Sequence, residues 1–130
     1  MLRRILPADI PIISEWISKD EDRARRSMTA EFFTCNLCFA IADIHGPIMY
    51  VRIDPEPDAT ARIHIQFDSQ QKLRTARALA HEFPLVQDRI KSAGVKHIIF
   101  DSVSESLIRF CQKRFGFVRV ADSNDYIKEL

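Results

Sequence analysis

Ala61-Arg-Ile-His-Ile-Gln-Phe67, with Gln71-Lys-Leu-Arg-Thr-Ala76 close behind it, is the stretch on which the fold turns. Ile63, Ile65 and Phe67 alternate with Arg62, His64 and Gln66, the period of two that marks a half-buried strand. Then the period changes. Leu73, Ala76, Ala80, Phe83, Val86 or Gln87, Ile90 and Ala93 recur at spacings of three and four, a single helical stripe that Gly94 ends. Pro84 lies inside it and is expected to kink or split the helix, because it removes a backbone donor and crowds the preceding turn. Residues 97–100 follow as a short apolar strand. Strand, helix and strand over residues 61–100 predict a parallel, right-handed unit.

Upstream, residues 2–6 read as an edge strand. Asp9 reads as the N-cap of an amphipathic helix with Ile10, Ile13, Trp16 and Ile17 on one face, and Pro11 fits its first turn. The mixed-charge run 19–26 reads as a solvated helix end and surface loop. Residues 37–42 and 48–53 are strand-like and joined by His45-Gly46-Pro47, a hairpin signal; Pro55 and Pro57 are expected to close the second strand. Downstream, Ser102 and Ser104 offer caps for a helix over 105–115, with Leu107, Ile108, Cys111 and Phe115 inward and Gly116 as its stop. Strands at 117–120 and 126–128 flank a turn at 122–125. The order is β-α-β-β-β-α-β-α-β-β, a mixed sheet covered by helices.

A chain of 130 residues fits a single domain, 1–130. With 46% hydrophobic and 28% charged residues the composition is globular. Nineteen basic against eighteen acidic side chains argue against a nucleic-acid partner, which calls for a basic excess on one face; Arg23, Arg25 and Arg26 are interleaved with acids. No apolar run suits a membrane span and no signal-peptide core follows Met1, so a cytoplasmic protein without a membrane partner is expected. Cys35, Cys38 and Cys111 form an odd set, which speaks against a disulfide framework. Cys35-x-x-Cys38 lacks the second ligand pair a structural zinc needs, so no metal is expected.

Three pieces carry a family likeness: Arg3-Arg-Ile-Leu-Pro-Ala-Asp9 with the helix after it, Ile63-His-Ile-Gln-Phe67 leading into Gln71–Ala76, and Leu107-Ile-Arg-Phe-Cys-Gln-Lys-Arg-Phe-Gly-Phe117. In this order and separation they resemble the GNAT superfamily of acyl-CoA N-acyltransferases over nearly the whole chain. The resemblance implies an α/β (α+β) fold, with a mixed, mostly antiparallel sheet of six to seven strands, a central parallel β-α-β unit and helices on both faces. It implies an acyl-CoA, acetyl-CoA in the simplest case, whose pantetheine arm lies along a bulged strand at Ile65 and Phe67. The diphosphate would rest on the segment Gln71, Lys72, Leu73, Arg74, Thr75, Ala76 and Arg77. Helix starts attract anions on general grounds, since first-turn N–H groups lack internal partners and sit at the positive end of the dipole. The family pattern is Gln or Arg, two residues, Gly, one residue, then Gly or Ala. Here it reads Gln71-x-x-Arg74-x-Ala76, with arginine where glycine lets phosphate approach bare backbone. Arg74 either binds phosphate in a fork, with Lys72 and Arg77 nearby, or obstructs the groove. Asp68 reads as the helix cap with Gln71 as its box partner.

Direct transfer in a ternary complex needs a base for the amine, a donor for the carbonyl and an acid for the leaving thiolate. The resemblance implies a carboxylate early in the fourth strand and a tyrosine four residues before the closing glycine. This chain has Ala59, Thr60, Ala61 and Arg62 at the first place, Asp58 being the nearest carboxylate, and Gln112 or Cys111 at the second. Its tyrosines, Tyr50 and Tyr126, lie on other strands. His64, on the polar strand face, is the candidate base, since an unperturbed histidine titrates near neutrality; a histidine satisfied under a helix is the competing reading. Ser104 is a second candidate, although capping explains it equally well. Trp16, Phe32, Phe33 and Phe110 read as core or as acceptor-cleft walls. Two functions follow: an N-acyltransferase acting on a small-molecule or peptide amine, or a non-catalytic binding or assembly protein with a decayed cofactor groove. The terminal strands offer a pairing surface for a homodimer.

Overall fold

The computed structural model describes residues 1–130 and contains one seven-stranded sheet. Its elements are β1 (Leu2–Arg3), α1 (Asp9–Ser18), α2 (Glu21–Arg25), a 3-10 turn (Ala30–Phe33), β2 (Cys38–Asp43), β3 (Gly46–Glu56), β4 (Thr60–Phe67), α3 (Lys72–Ser92), β5 (His97–Asp101), α4 (Glu105–Phe115), β6 (Val118–Arg119) and β7 (Asp125–Glu129). The strands run in the order β1-β2-β3-β4-β5-β7-β6. β4 and β5 are parallel, while β1–β2, β2–β3, β5–β7 and β6–β7 are antiparallel. This is the mixed sheet with a β-α-β crossover that the periodicity predicts, and it is mostly antiparallel, as the resemblance implies. The chain divides into two compact units, Met1–Arg52 with Ile65–Glu82, and Ile53–His64 with Phe83–Leu130.

The first unit is built around Ile13, Trp16, Ile17, Ala30, Phe33, Ala40 and Tyr50. Its α1 differs from expectation at its start. Ile10 faces solvent and Asp9 is buried with Ile13, Trp16 and Ile17. Asp9 is the first residue of the helix rather than its cap; Ala8 holds the cap position and no side chain caps there. The Asp9 carboxylate instead accepts two bonds from the Arg3 guanidinium (2.7 and 2.9 Å), one from the Leu6 N–H (2.7 Å) and one from the Tyr50 hydroxyl (2.6 Å). Such saturation is what allows a carboxylate to be buried. The run 19–26 contains a short helix, α2, capped by Asp20, which accepts from the Arg23 N–H at 3.2 Å. In β3, Ile48, Met49, Tyr50 and Val51 are all buried, so both faces of that strand are covered. The β2–β3 hairpin turns through Asp43–Gly46, where the His45 N–H bonds Asp43 Oδ1 at 2.8 Å and Gly46 takes a φ of 116°. A bulge shifts its register between Ile41 and Ala42.

Within the second unit, β3 runs through Pro55 to Glu56 instead of ending at Ile53. The β2–β3 ladder stops at Cys38↔Arg52, so beyond Arg52 one edge of β3 has no partner strand to miss the proline's N–H. Asp58 and Ala59, both at positive φ, turn the chain into β4. α3 is continuous from Lys72 to Ser92, with Pro84 inside it and no break. Its buried stripe is Thr75, Leu79, Glu82, Phe83, Val86 and Ile90, whereas Leu73, expected on that stripe, is exposed. α4 is capped by Ser104, which accepts from the Leu107 N–H at 3.3 Å, and ends at Gly116 in the left-handed region. That turn brings Phe117 into the core, 5.0 Å edge-on to Phe100 and 6.1 Å from Phe83. Nothing lies within 4 Å of a methyl group placed at Gly116, so Gly116→Ala meets only the left-handed penalty of about 1–2 kcal/mol. Urea denaturation is expected to show a loss of that size; a smaller effect would mean the helix ends differently.

Candidate active site

β4 is the element on which the expected chemistry converges. Its ladder with β5 consists of Thr60↔His97, Ala61↔Ile98 and Arg62↔Ile99, and stops there, although β4 continues to Phe67 and β5 to Asp101. Beyond Arg62 the two parallel strands are not paired with each other. The burial rhythm slips at the same place. Ala61 and Ile63 are buried in alternation, but the next buried residue is Gln66, while Ile65 and Phe67 are half-buried. Gln66 therefore leaves the polar face assigned to it: 2% exposed, it accepts from Arg23 Nη1 at 2.7 Å and donates to the Phe67 carbonyl at 3.1 Å.

The loop from β4 into α3 is tied by Asp68, though not as a helix cap. Asp68 Oδ1 accepts from the Gln70 N–H at 3.0 Å and its carbonyl from the Gln71 N–H at 2.9 Å, an Asx turn ahead of the helix. Gln71 occupies the residue before α3 and its carbonyl receives the Thr75 N–H (3.0 Å) and hydroxyl (2.9 Å). The amides of Lys72, Leu73 and Arg74 consequently have no carbonyl within the helix to bond. Lys72 and Arg77 are exposed, Ala76 is half-buried and Thr75 is buried. Arg74 is engaged by the β2–β3 turn. Its Nη2 bonds Asp43 Oδ1 at 2.7 Å and the Gly46 carbonyl at 3.4 Å, and its Nη1 reaches the Pro47 carbonyl at 3.4 Å. The guanidinium clips the start of α3 to the β2–β3 turn, and this pairing holds the Asp43 carboxyl below its ordinary value.

In the second unit a polar network lies on β3, β4, β5 and β7. His64 Nε2 is 3.0 Å from Asp54 Oδ2. Two residues back on the same strand, Arg62 bonds Glu56 Oε2 (2.7 Å), Asp101 Oδ1 (2.9 Å) and both Asp125 oxygens (2.9 and 3.1 Å). Residues two apart on a strand share a face, so Asp54 and Glu56 of β3 meet His64 and Arg62 of β4 on one side of the sheet. The Asp125 contact, then Glu56, raises the Arg62 pKa against the cost of its burial, and Arg62 in turn lowers that of Asp125. In the tautomer whose Nε2–H donates to Asp54, the carboxylate orients the imidazole, as it does for a histidine acting as a base.

The sequence reading missed Asp54, Glu56, Asp101 and Asp125. The first two are hidden by Pro55, a residue that locally signals the end of a strand, yet their spacing of two matches that of Arg62 and His64. Ser104 caps α4 and contacts Ser106 Oγ at 3.1 Å. The Tyr50 hydroxyl donates to Asp9 at 2.6 Å, and the Tyr126 ring stacks on Phe100 with centroids 5.4 Å apart. Cys111, one of two residues aligned with that position, is buried, and burial pushes its thiol up to about 12. Trp16 and Phe33 are core, and Phe32 carries the Arg52 guanidinium 4.2 Å above its ring.

A parallel β4–β5 pair that parts after three residue pairs, with the crossover helix starting at the end of β4, defines the fold class: this chain has the GNAT fold. It superimposes on the GNAT domain of PAT from S. lividans with a TM-score of 0.70 at 15% identity, covering 99% of this chain and 89% of that one. A GNAT-family acetyltransferase from Staphylococcus aureus Mu50 matches with a TM-score of 0.67 at 11% identity, over 100% and 98% of the two chains. N-acetylglutamate synthase from Neisseria gonorrhoeae, solved with coenzyme A and N-acetyl-glutamate, matches at 0.67 and 14% identity over 100% of this chain and 35% of its own. No family model and no curated protein matches the sequence itself. No helix is long and apolar enough to cross a membrane.

Proposed function

We propose that this chain is an acyl-CoA-dependent N-acyltransferase, most simply an acetyltransferase, acting on a primary amine by direct transfer. The observation that carries this reading is the parting of β4 from β5 after Arg62↔Ile99, immediately before the His64–Asp54 pair. The residues present fit an acyl-CoA. Residues 65–67 supply strand backbone for the pantetheine arm, and the amides of Lys72, Leu73 and Arg74 supply donors for the diphosphate. Bound there, acyl-CoA supplies the activated thioester carbonyl. His64, the residue before Ile65, takes the proton released when the amine nitrogen bonds to that carbonyl, and Asp54 holds the imidazole in place. No side chain is assigned as acid, so the leaving thiolate takes its proton from solvent. Positioning alone supplies much of such a barrier, about 7–11 kcal/mol in favourable cases.

A non-catalytic protein on this fold is the second reading, and Arg74 favours it, because its guanidinium serves the β2–β3 turn. Acetyl-CoA titration by calorimetry or thermal shift separates the two. Ligand at 100 times its dissociation constant adds about 2.7 kcal/mol of stability; no shift at millimolar acetyl-CoA would overturn the enzyme reading. Arg74→Gly is expected to tighten acetyl-CoA binding by up to about tenfold, or 1.4 kcal/mol, by baring the amides. Weaker binding would show instead that Arg74 leaves Asp43 for the phosphate.

A further inference from the structure

Cys35 and Cys38 lie in the first unit, between the 3-10 turn and β2, and play no part in the chemistry above. Their sulfur atoms are 3.0 Å apart, the side chain of Cys35 open to solvent and that of Cys38 half-buried. The Cys38 N–H bonds the Cys35 carbonyl at 3.1 Å, which closes residues 35–38 into a tight turn. The ends of such a turn lie within about 7 Å at Cα, the range that a disulfide spans. Bond formation needs only about 1 Å of sulfur movement, from contact to the S–S length of about 2 Å. No third His, Cys, Asp or Glu joins the pair to make a metal centre.

We propose that Cys35 and Cys38 form a thiol–disulfide exchange site that closes on reaction with a low-molecular-weight disulfide such as oxidised glutathione. The Cys35 thiolate attacks one sulfur of glutathione disulfide, whose S–S bond breaks; one glutathione thiolate leaves and takes a proton. Cys38 Sγ then loses its proton and attacks Cys35 Sγ, expelling the second glutathione. Two protein thiols become one disulfide, and one glutathione disulfide becomes two thiols. Exposure fixes the order of attack, since Cys35 is the sulfur an outside reagent reaches. Burial first, and then the contact with Cys35, push the Cys38 thiol up to about 12, which makes it a poor first nucleophile. The fold tolerates closure. The bond from Cys38 Sγ to the Phe32 carbonyl is long, 3.7 Å, and that carbonyl keeps the Arg52 Nη1 donor at 2.8 Å.

Intact-mass analysis with alkylation of remaining thiols tests this. Wild-type chain treated with oxidised glutathione is expected to lose two hydrogens, keep Cys111 as its one alkylatable thiol after unfolding, and regain both thiols with dithiothreitol. Cys38→Ser is expected to stop at a stable glutathione adduct on Cys35, while Cys35→Ser gains an adduct at least about tenfold more slowly. A wild-type chain that keeps three thiols, ends as a mixed disulfide or forms disulfide-linked dimers would overturn the proposal. So would equal adduct rates in the two variants.

Discussion

Asp9→Asn is expected to lower the melting temperature by roughly 10–20 °C, the equivalent of about 3–5 kcal/mol for breaking one side of a buried charge pair. The substitution keeps the size of the side chain and removes its charge, leaving the Arg3 guanidinium without its carboxylate and the Tyr50 hydroxyl with a poorer acceptor. The wild-type protein should show the same dependence on acid. Arg3 foremost, with the Tyr50 hydroxyl and Leu6 N–H, lowers the Asp9 carboxyl from 3.8 to about 2 against the opposing effect of burial. A carboxyl with a depressed folded-state pKa stabilises the fold above its unfolded value. That contribution, roughly 2 kcal/mol, is therefore complete above about pH 4 and disappears as pH falls toward 2. Circular dichroism melts of wild type and Asp9→Asn between pH 2 and 7 measure both effects. The gap between the two proteins should narrow on acidification; a constant gap would show that the lost stability is packing and not charge.

His64→Ala carries the other large effect. As the assigned base, its loss is expected to lower kcat about 100-fold and to abolish the limb of the pH–rate profile that reports the base. Asp54→Asn should lower kcat by less, because it disturbs the orientation of the imidazole and leaves the imidazole itself in place. KM for acetyl-CoA should change little in both variants, since neither residue lies in the Ile65–Phe67 or Lys72–Arg74 segments. Unchanged turnover and pH dependence in His64→Ala would take histidine out of the mechanism while leaving acyl-CoA binding open to its own titration.

Most of the fold was legible because its elements are punctuated by residues with few conformational options. Gly116 stops α4 and turns Phe117 inward, and the alternation at Ala61–Ile63 followed by the α3 spacing marks the crossover. The errors arose where tertiary partners override local preference. Asp9 looks like a cap until Arg3 and Tyr50, distant in sequence or on another strand, claim its oxygens. Pro55 looks like a stop until one side of β3 is found to lack a neighbour. Gln66 looks exposed until a slip in β4 turns it inward to Arg23. The candidate site was half legible for the same reason. His64 stands out by its type and period, but Asp54 is meaningful only once the two strands pair. Arg74 is recognisable as a departure from the glycine pattern, yet its attachment to Asp43 depends on where a hairpin tip lies.

Arg62 imposes an order on how this surface can change over evolutionary time. Asp101 and Asp125 stand directly opposite each other across β5 and β7, and Arg62 bonds both. Facing like charges are destabilising, and lysine, a point charge, cannot reproduce a guanidinium that holds several carboxylates at once. A lineage that loses the arginine first passes through an unfavourable intermediate, whereas one that first neutralises an aspartate does not. Substitutions at these three positions are thus historically contingent on one another.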